Sequence, residues 1–431
     1  MADVNVLNVL LYGELIGTLT RLGGDRTIFA FTEDYIANKD RPVFGLRFKD
    51  EFGGLITEFR PYKTKVMPFF SNLLPEGPMR TYLAERAGVD PERDFFLLWV
   101  LGRDLPGAVR VQPDDGEAWP CDAHDEVAED HKRQENALRF SLAGVQLKFS
   151  ATNKARGGLT IPAKGVGGSW IVKLPSREFA GVPENEYSMM TLARMIGMDV
   201  PALELIDVDA IGNLPQGIGA LQGKALAIQR FDRLEDGTAV HVEDFAQIFD
   251  VYPKQKYEKA SLRNIANVIG IEGGDEDIAE FIRRLTFNTL IGNADMHLKN
   301  WSVIYPDRRH ATLAPAYDFL STIAYIPDAK AALNFSRTKR FDGFSEDELS
   351  HMAAKALLPE RLVLDTARET AALFLQHWHA EKRHLPLSIH VIQTLEAHLK
   401  TIPLVSSGLL GKFGNTQPIH KRHRQDSRAP D

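Results

Sequence analysis

Between Asp114 and Asp130 the chain carries eight carboxylates, Asp114, Asp115, Glu117, Asp122, Asp125, Glu126, Glu129 and Asp130, with no lysine or arginine among them. A segment this charged cannot enter a hydrophobic core, and repulsion between like charges keeps it solvated. It reads as a linker rather than as an acidic interaction site, and it divides the 431 residues into parts that pack separately. The length points the same way, being too great for one ordinary core. Hydrophobic residues make up 44% of the chain, enough to give each part its own interior.

The linker also accounts for the charge balance. The net charge is -7, of which the linker contributes -8 and the end from Lys412 to Asp431 contributes +3, so the remaining chain carries about -2. A nearly neutral body argues against autonomous binding to nucleic acid. The tail cations Lys412, Lys421, Arg422, Arg424 and Arg428 read first as a solvated end and second as a phosphate-binding arm. The single cysteine, Cys121, cannot form an intramolecular disulfide or a cysteine-based zinc site, and the acids around it oppose thiolate formation. The start Met1-Ala2-Asp3 lacks a basic, apolar leader, and the longest apolar run, Phe95 to Leu101, is far shorter than the ~20 residues that cross a bilayer. The expectation is a cytoplasmic protein with no membrane partner.

Hydrophobic periodicity changes along the chain. Val4 to Leu11, Leu15 to Leu19 and Thr27 to Phe31, separated by Tyr12-Gly13-Glu14 and Gly23-Gly24, predict a meander of short strands. Met79 to Ala87 predicts a helix, Phe95 to Leu101 a buried helix or strand, and Val109 to Val111 a closing strand. After the linker, strands are expected at Ala137 to Ser141, Trp170 to Leu174 and Ala225 to Gln229, with a helix over Glu186 to Ile196. Beyond Asp232 the signals are helical: Ile278, Phe281, Ile282 and Leu285 share one face, Ser345 and Glu348 have capping-box spacing, and Ile389, Ile392, Leu395 and Leu399 form a stripe. The boundaries that follow are 1–113, a linker over 114–136, a strand-rich lobe over 137–232, a helical lobe over 233–411 and a basic tail over 412–431. The fold class is α+β, with a β-rich lobe followed by an all-α lobe.

The chemistry lies in two stretches. Asp295 is followed by Asn300 five residues on, and then by Asp318 before Phe319. Phosphoryl transfer needs a carboxylate beside the acceptor hydroxyl and oxygen ligands for a metal on the phosphates. Protein kinases use the same Asp-x-x-x-x-Asn spacing and the same Asp-Phe pair. Asp295 is then the candidate base, with Asn300 and Asp318 as candidate Mg²⁺ ligands. Upstream, Lys173 ends a strand pattern in the way a phosphate-binding kinase lysine does, and Glu186 stands in the next helix to pair with it. Each element is weak alone, since capping Asp and Asn and solvated Lys are common. The order Lys, Glu, Asp, Asn, Asp across two lobes is more specific. Gln229-Arg230-Phe231 falls between the lobes, where backbone groups could meet an adenine edge. No G-x-G-x-x-G is present; Ser141-Leu142-Ala143-Gly144-Val145-Gln146-Leu147-Lys148 stands in its place. His377, His379 and His384 do not share a helical face and read as structural or surface residues.

These segments, with Phe69 to Pro75, Gly102-Arg103-Asp104, Gly107-Ala108-Val109 and Gln229 to Arg233, resemble the HipA-type serine/threonine toxin kinases of bacterial HipBA toxin–antitoxin modules. The resemblance implies a protein-kinase-like two-lobed fold with an added N-terminal subdomain, using ATP and Mg²⁺. It implies Asp295 as base, Asn300 and Asp318 as metal ligands and Lys173 as the phosphate lysine. Ala143, Gly144, Val145, Gln146, Leu147 and Lys148 become a phosphate-covering loop, and Gln229, Arg230, Phe231, His297, Lys299 and Tyr317 line the nucleotide pocket. Ser141 matches the autophosphorylated serine, whose phosphate would repel those of ATP and switch the kinase off. The implied partners are a HipB-like helix-turn-helix antitoxin, operator DNA only within the antitoxin complex, and a protein substrate of the aminoacyl-tRNA synthetase class. The other reading is a catalytically weak co-repressor acting on an antitoxin–operator complex, or a small-molecule kinase with the same lobes.

Overall fold

The computed structural model describes residues 4–114, 148–153, 159–160, 168–214 and 221–406. Residues 115–136 of the linker, the strand expected at Ala137 to Ser141 and the tail from Lys412 lie outside these residues.

The N-terminal part opens with the expected meander, β1 (Val6–Leu11), β2 (Glu14–Leu22) and β3 (Arg26–Phe31), and continues through α1 (Glu33–Ala37), β4 (Tyr62–Lys63), α2 (Pro68–Asn72), α3 (Gly77–Ala87), α4 (Asp94–Leu101) and β5 (Val109–Pro113). Its sheet runs in the order β4-β3-β2-β1-β5. Tyr12 and Gly13 both take positive φ, as a two-residue hairpin turn between twisted strands requires. Alternation puts Leu7, Val9 and Leu11 inside, each stabilising the sheet by about 1.5–3 kcal/mol. The undecided run is a helix: Phe95 to Val100 is buried on every side, which removes the amphipathic signature by which a helix is read. Gly102 follows its last turn, where the close approach of the Val111 carbonyl leaves no room for a Cβ. Beneath the sheet, Phe29, Phe44, Phe48, Phe69 and Phe70 form a ring cluster with neighbouring centroids 4.6–6.0 Å apart.

The second sheet, in the order β7-β6-β8-β10-β9, is built from β6 (Lys148–Asn153), β7 (Leu159–Thr160), β8 (Trp170–Lys173), β9 (Leu203–Asp207) and β10 (Lys224–Gln229), with α5 (Val182–Met195) between β8 and β9. Leu226 pairs with Lys173 and Gln229 with Trp170, so β10 runs from beside Lys173 to the segment that starts at Arg230.

The third part is mainly helical, with α6 (Phe245–Ile248), α7 (Leu262–Glu272), α8 (Asp275–Leu290), α9 (Glu346–Ala356), α10 (Glu360–Glu381), α11 (Ile389–Leu399) and α12 (Pro403–Ser406). Ile278, Phe281, Ile282 and Leu285 are buried on α8 as their spacing predicts. The expected all-α lobe also carries a small antiparallel sheet, β11 (His241–Asp244), β12 (Ser302–Tyr305) and β13 (Thr312–Leu313). These strands are too short for periodicity to separate them from loops. Ser345 caps α9 through Glu348 N, but the Glu348 carboxylate turns instead to the backbone N–H of Ser336 and Arg337. Of the last stripe Leu395 and Leu399 are buried, Ile392 is half-buried and Ile389 is exposed as the first residue after the Ser388 cap, while Val391, outside the expected stripe, is buried.

The N-terminal part docks on the other two through polar contacts. Asn72 Nδ2 donates to Val251 O at 2.8 Å, Gln247 Nε2 to Phe69 O at 3.2 Å and Leu46 N to Glu243 Oε1 at 2.8 Å. Asp104 accepts from both Arg230 and Arg233 at 3.1 Å, while Asp232 accepts from Gly107 N at 2.8 Å. Among the described residues no helix is long and apolar enough to cross a membrane, and no group of three or more His, Cys, Asp or Glu side chains is assembled to hold a metal ion.

Candidate active site

β8 ends by turning the Lys173 side chain into a space between the sheet and α5. Its ammonium lies 2.5 Å from Glu186 Oε1 and is paired on its other side with Asp318. Lys173 and Glu186 are buried and Asp318 is partly exposed. Burial alone would lower the lysine pKa, but the two carboxylates override it and hold the group well above its ordinary value, so it is an ammonium at any physiological pH. The residues that sequence order alone related therefore meet in space.

Asp318 sits in left-handed backbone, φ +58°, a conformation that Asp tolerates better than most side chains. Its carbonyl accepts from Asn293 Nδ2 at 3.2 Å. Asn293 joins three parts of the site: Nδ2 also donates to Asn288 Oδ1 at 2.8 Å, and Oδ1 accepts from Asp295 N at 3.0 Å. Gly292 just before it has φ +63°, and a Cβ there would overlap the Ile323 side chain. Leaving α8 thus requires a glycine and then a buried amide. Asn293 was missed by sequence reasoning because a single Asn in a loop has no chemical signature of its own.

Asp295 is open to solvent on one side of the loop, while its carboxyl is hemmed in by neighbouring groups on the other. Its carbonyl accepts from His297 N and from Asn300 Nδ2, each at 2.8 Å, which closes the loop on itself and fixes Asn300 beside the carboxylate residue. Tyr257 donates its hydroxyl to Asp295 Oδ1 at 2.8 Å. The carboxyl pKa is raised, chiefly by burial, with Asp318 and Glu76 adding to the rise and Tyr257 and Lys256 opposing it. Tyr257 was not identified from sequence, since it comes from a loop 38 residues upstream.

His297 is buried with its ring edge-on to Tyr257, centroids 5.0 Å apart. Burial, with Lys256 adding to it, lowers its pKa to about 3, so it is a neutral imidazole. Tyr317 donates to Lys299 O at 3.0 Å and accepts from Ser302 Oγ at 2.6 Å, and its ring lies 5.8 Å from that of Phe231. Gln229 N and Arg230 N donate to Ala202 O and Ser169 O, each at 2.8 Å.

Two of the expected pocket side chains point elsewhere. Arg230 is bound to Asp232 Oδ1 at 2.9 Å and to Asp104, holding the N-terminal part against the inter-lobe segment. Lys299 reaches Asn72 O at 2.9 Å and Glu76 Oε1 at 3.1 Å. A place in a motif fixes the backbone and not the direction of a long cationic side chain. Lys148 pairs with Lys173 across β6 and β8. Ser141, Ala143, Gly144, Val145, Gln146 and Leu147 lie outside the described residues. Lys173, Glu186 and Asp318 meet directly, and Asn293 ties Asp318 to the loop that carries Asp295, His297 and Asn300.

Residues 140–378 match the family model described as HipA-like C-terminal domain, and residues 7–112 match the HipA N-terminal domain. The chain is 61% identical over 407 residues to "Putative kinase Y4dM" of Sinorhizobium fredii, spanning 94% of this chain and 98% of that protein. It is 24% identical over 308 residues to the serine/threonine-protein kinase toxin HipA of Shewanella oneidensis, 61% of this chain and 64% of that one. The fold resembles the HipA chain solved with HipB and its operator DNA from Shewanella oneidensis MR-1, with a TM-score of 0.69 at 20% identity, covering 93% and 96% of the two chains.

Proposed function

The chain belongs to the HipA family, and from that premise we propose that it is an ATP- and Mg²⁺-dependent serine/threonine protein kinase of the toxin type. The observation that carries the reading is the Lys173 ammonium held between Glu186 and Asp318, with Asp295 and Asn300 on the adjoining loop. An ammonium gripped by a buried carboxylate keeps its direction and can meet the α- and β-phosphates, which need a fixed cation. Asp295 accepts the proton of the acceptor hydroxyl. Its raised pKa makes it a better proton acceptor than an ordinary carboxylate.

The donor set suits Mg²⁺. Asn300 has its amide nitrogen engaged with Asp295 O, which leaves the amide oxygen for a metal, and Asp318 adds a carboxylate; such all-oxygen donors fit a hard cation that takes its other ligands from phosphate and water. When bound, the ion neutralises charge on the β- and γ-phosphates. Gln229, Phe231, His297 and Tyr317 flank the nucleotide, and the neutral His297 brings no charge to it. Ala143 to Lys148 covers the phosphates, and phosphorylation of Ser141 withdraws that cover.

The Shewanella relative was solved with HipB and operator DNA. By the same arrangement, a helix-turn-helix antitoxin neutralises this chain and brings it to an operator. The acceptor is a translation component of the aminoacyl-tRNA synthetase class. Expression in cells lacking the antitoxin tests the reading: growth arrest by the chain and tolerance of Asp295→Ala support it, and equal tolerance of both contradicts it. If Ser141→Ala leaves self-labelling by radioactive ATP unchanged, Ser141 is not the autophosphorylation site.

A further inference from the structure

The loop bearing Asp295 is braced from a part of the molecule outside the two kinase-like lobes. Glu76, which follows α2 in the segment Asn72-Leu73-Leu74-Pro75-Glu76, lies 3.0 Å from Lys256 through Oε2 and 3.1 Å from Lys299 through Oε1. Asn72 adds its carbonyl to Lys299 at 2.9 Å. Lys299 directly precedes Asn300, and Lys256 directly precedes Tyr257. We infer that Glu76 is a positioning residue for phosphoryl transfer, holding Asp295 and Asn300 in working geometry through Lys256 and Lys299; this rests on the kinase reading above.

Two arms run from Glu76 to Asp295. Through Lys299 the first arm fixes the backbone of Asn300, whose Nδ2 holds Asp295 O at 2.8 Å. Through Lys256 the second arm fixes Tyr257, whose hydroxyl holds Asp295 Oδ1 at 2.8 Å. The arms are tied to each other, because Leu298 N donates to Lys256 O at 3.3 Å. The second arm has a further anchor in the same subdomain, the Tyr252 hydroxyl donating to Val66 O at 3.1 Å.

The charges make Glu76 the keystone. Lys256 and Lys299 are largely buried, at 17% and 15% side-chain exposure, against 33% for Glu76. Burial would raise the Glu76 pKa, but Lys299 and Lys256 together pull it down to about 2, so the carboxylate is ionised throughout the working range. Asp244 lies 3.8 Å from Lys299 and is a poorer substitute, being farther away and bound to Gln247 N. Neutralising Glu76 leaves two neighbouring ammonium groups without their shared counter-ion, and they part. The loops they carry then lose a common reference, and small errors in placing a catalytic group are costly.

The test compares the full chain with Glu76→Gln, which keeps shape and removes charge, and with Glu92→Gln, which removes the more exposed acid of the same subdomain. Two readouts are used: amide hydrogen exchange of residues 293–300, and turnover of ATP as a function of its concentration. Glu76→Gln is expected to speed exchange of that segment by about tenfold or more, and to lower kcat by about tenfold with KM for ATP within about twofold. Glu92→Gln is expected to match the unaltered chain. Unchanged exchange in Glu76→Gln overturns the inference whether or not the chain turns over ATP, and an unchanged kcat overturns it where turnover is present. A fall in melting temperature without local exchange in 293–300 also overturns it. Failure of the unaltered chain to use ATP contradicts the kinase reading, and the exchange result still decides the role of Glu76.

Discussion

Lys173 Nζ lies 2.5 Å from Glu186 Oε1 with both side chains buried. Removing one partner of such a pair leaves the other charge uncompensated, which costs far more than a surface pair is worth. Lys173→Ala is expected to lower stability by about 3–5 kcal/mol, measured by chemical unfolding, and to abolish phosphotransfer. Glu186→Gln keeps the size of the partner, and Asp318 still grips the ammonium. It is expected to fold while phosphotransfer falls by about ten- to a hundredfold.

Asp318 combines a charge with left-handed backbone at φ +58°. Asn tolerates that conformation as readily as Asp does, so Asp318→Asn separates the two roles. The melting temperature is expected to stay within a few degrees, while phosphotransfer drops by a factor of about a hundred or more. A large loss of stability would show that the carboxylate mainly supports the fold.

Gly292 is required twice over, by φ +63° and by the Ile323 side chain against its Cα. Gly292→Ala is expected to cost about 1–3 kcal/mol and to disturb Asn293 and Asp295 directly after it. The check is a joint fall in unfolding midpoint and in ATP turnover.

The interface between the N-terminal part and the helical lobe buries Glu243, whose pKa is raised to about 8, chiefly by desolvation, and His241, whose pKa is lowered to about 4 by the same cause. For Glu243 the folded state holds the proton more tightly than the unfolded state, so stability falls as pH rises from about 4.5 to about 8. For His241 the unfolded state binds the proton more tightly, so stability rises from pH 4 to about 6.5. The two oppose each other up to pH 6.5, and Glu243 acts alone above it. The melting temperature is expected to decline between pH 6.5 and 8, and Glu243→Gln to flatten the decline. A slope unchanged in the variant would contradict this.

How far the sequence carries can be judged from particular residues. The strands of the meander and the buried face of α8 follow from local periodicity, which is a property of neighbours in the chain. Lys173, Glu186 and Asp318 were legible as an ordered set because their chemistry needs fixed residue types, and they meet as that order suggests. What could not be read depends on tertiary contact. Phe95 to Val100 gave no period because every face is buried. Tyr257, Asn293 and Glu76 act through hydrogen bonds and ion pairs to residues brought near only by folding. Arg230 and Lys299 occupy expected backbone positions, but their long side chains follow the nearest carboxylates, Asp104 and Asp232 for one and Glu76 for the other.

The central claim is that Asp295 serves phosphoryl transfer in the site closed by Lys173 and Asp318. The most direct measurement is transfer of label from γ-labelled ATP, in the presence of Mg²⁺, to the purified chain itself and to protein extract, comparing the unaltered chain with Asp295→Asn at equal folded concentration. The account expects labelled protein from the unaltered chain and a fall of about a thousandfold or more in Asp295→Asn with the fold unchanged. Equal labelling by both chains, or none by either while ATP is bound, would contradict it.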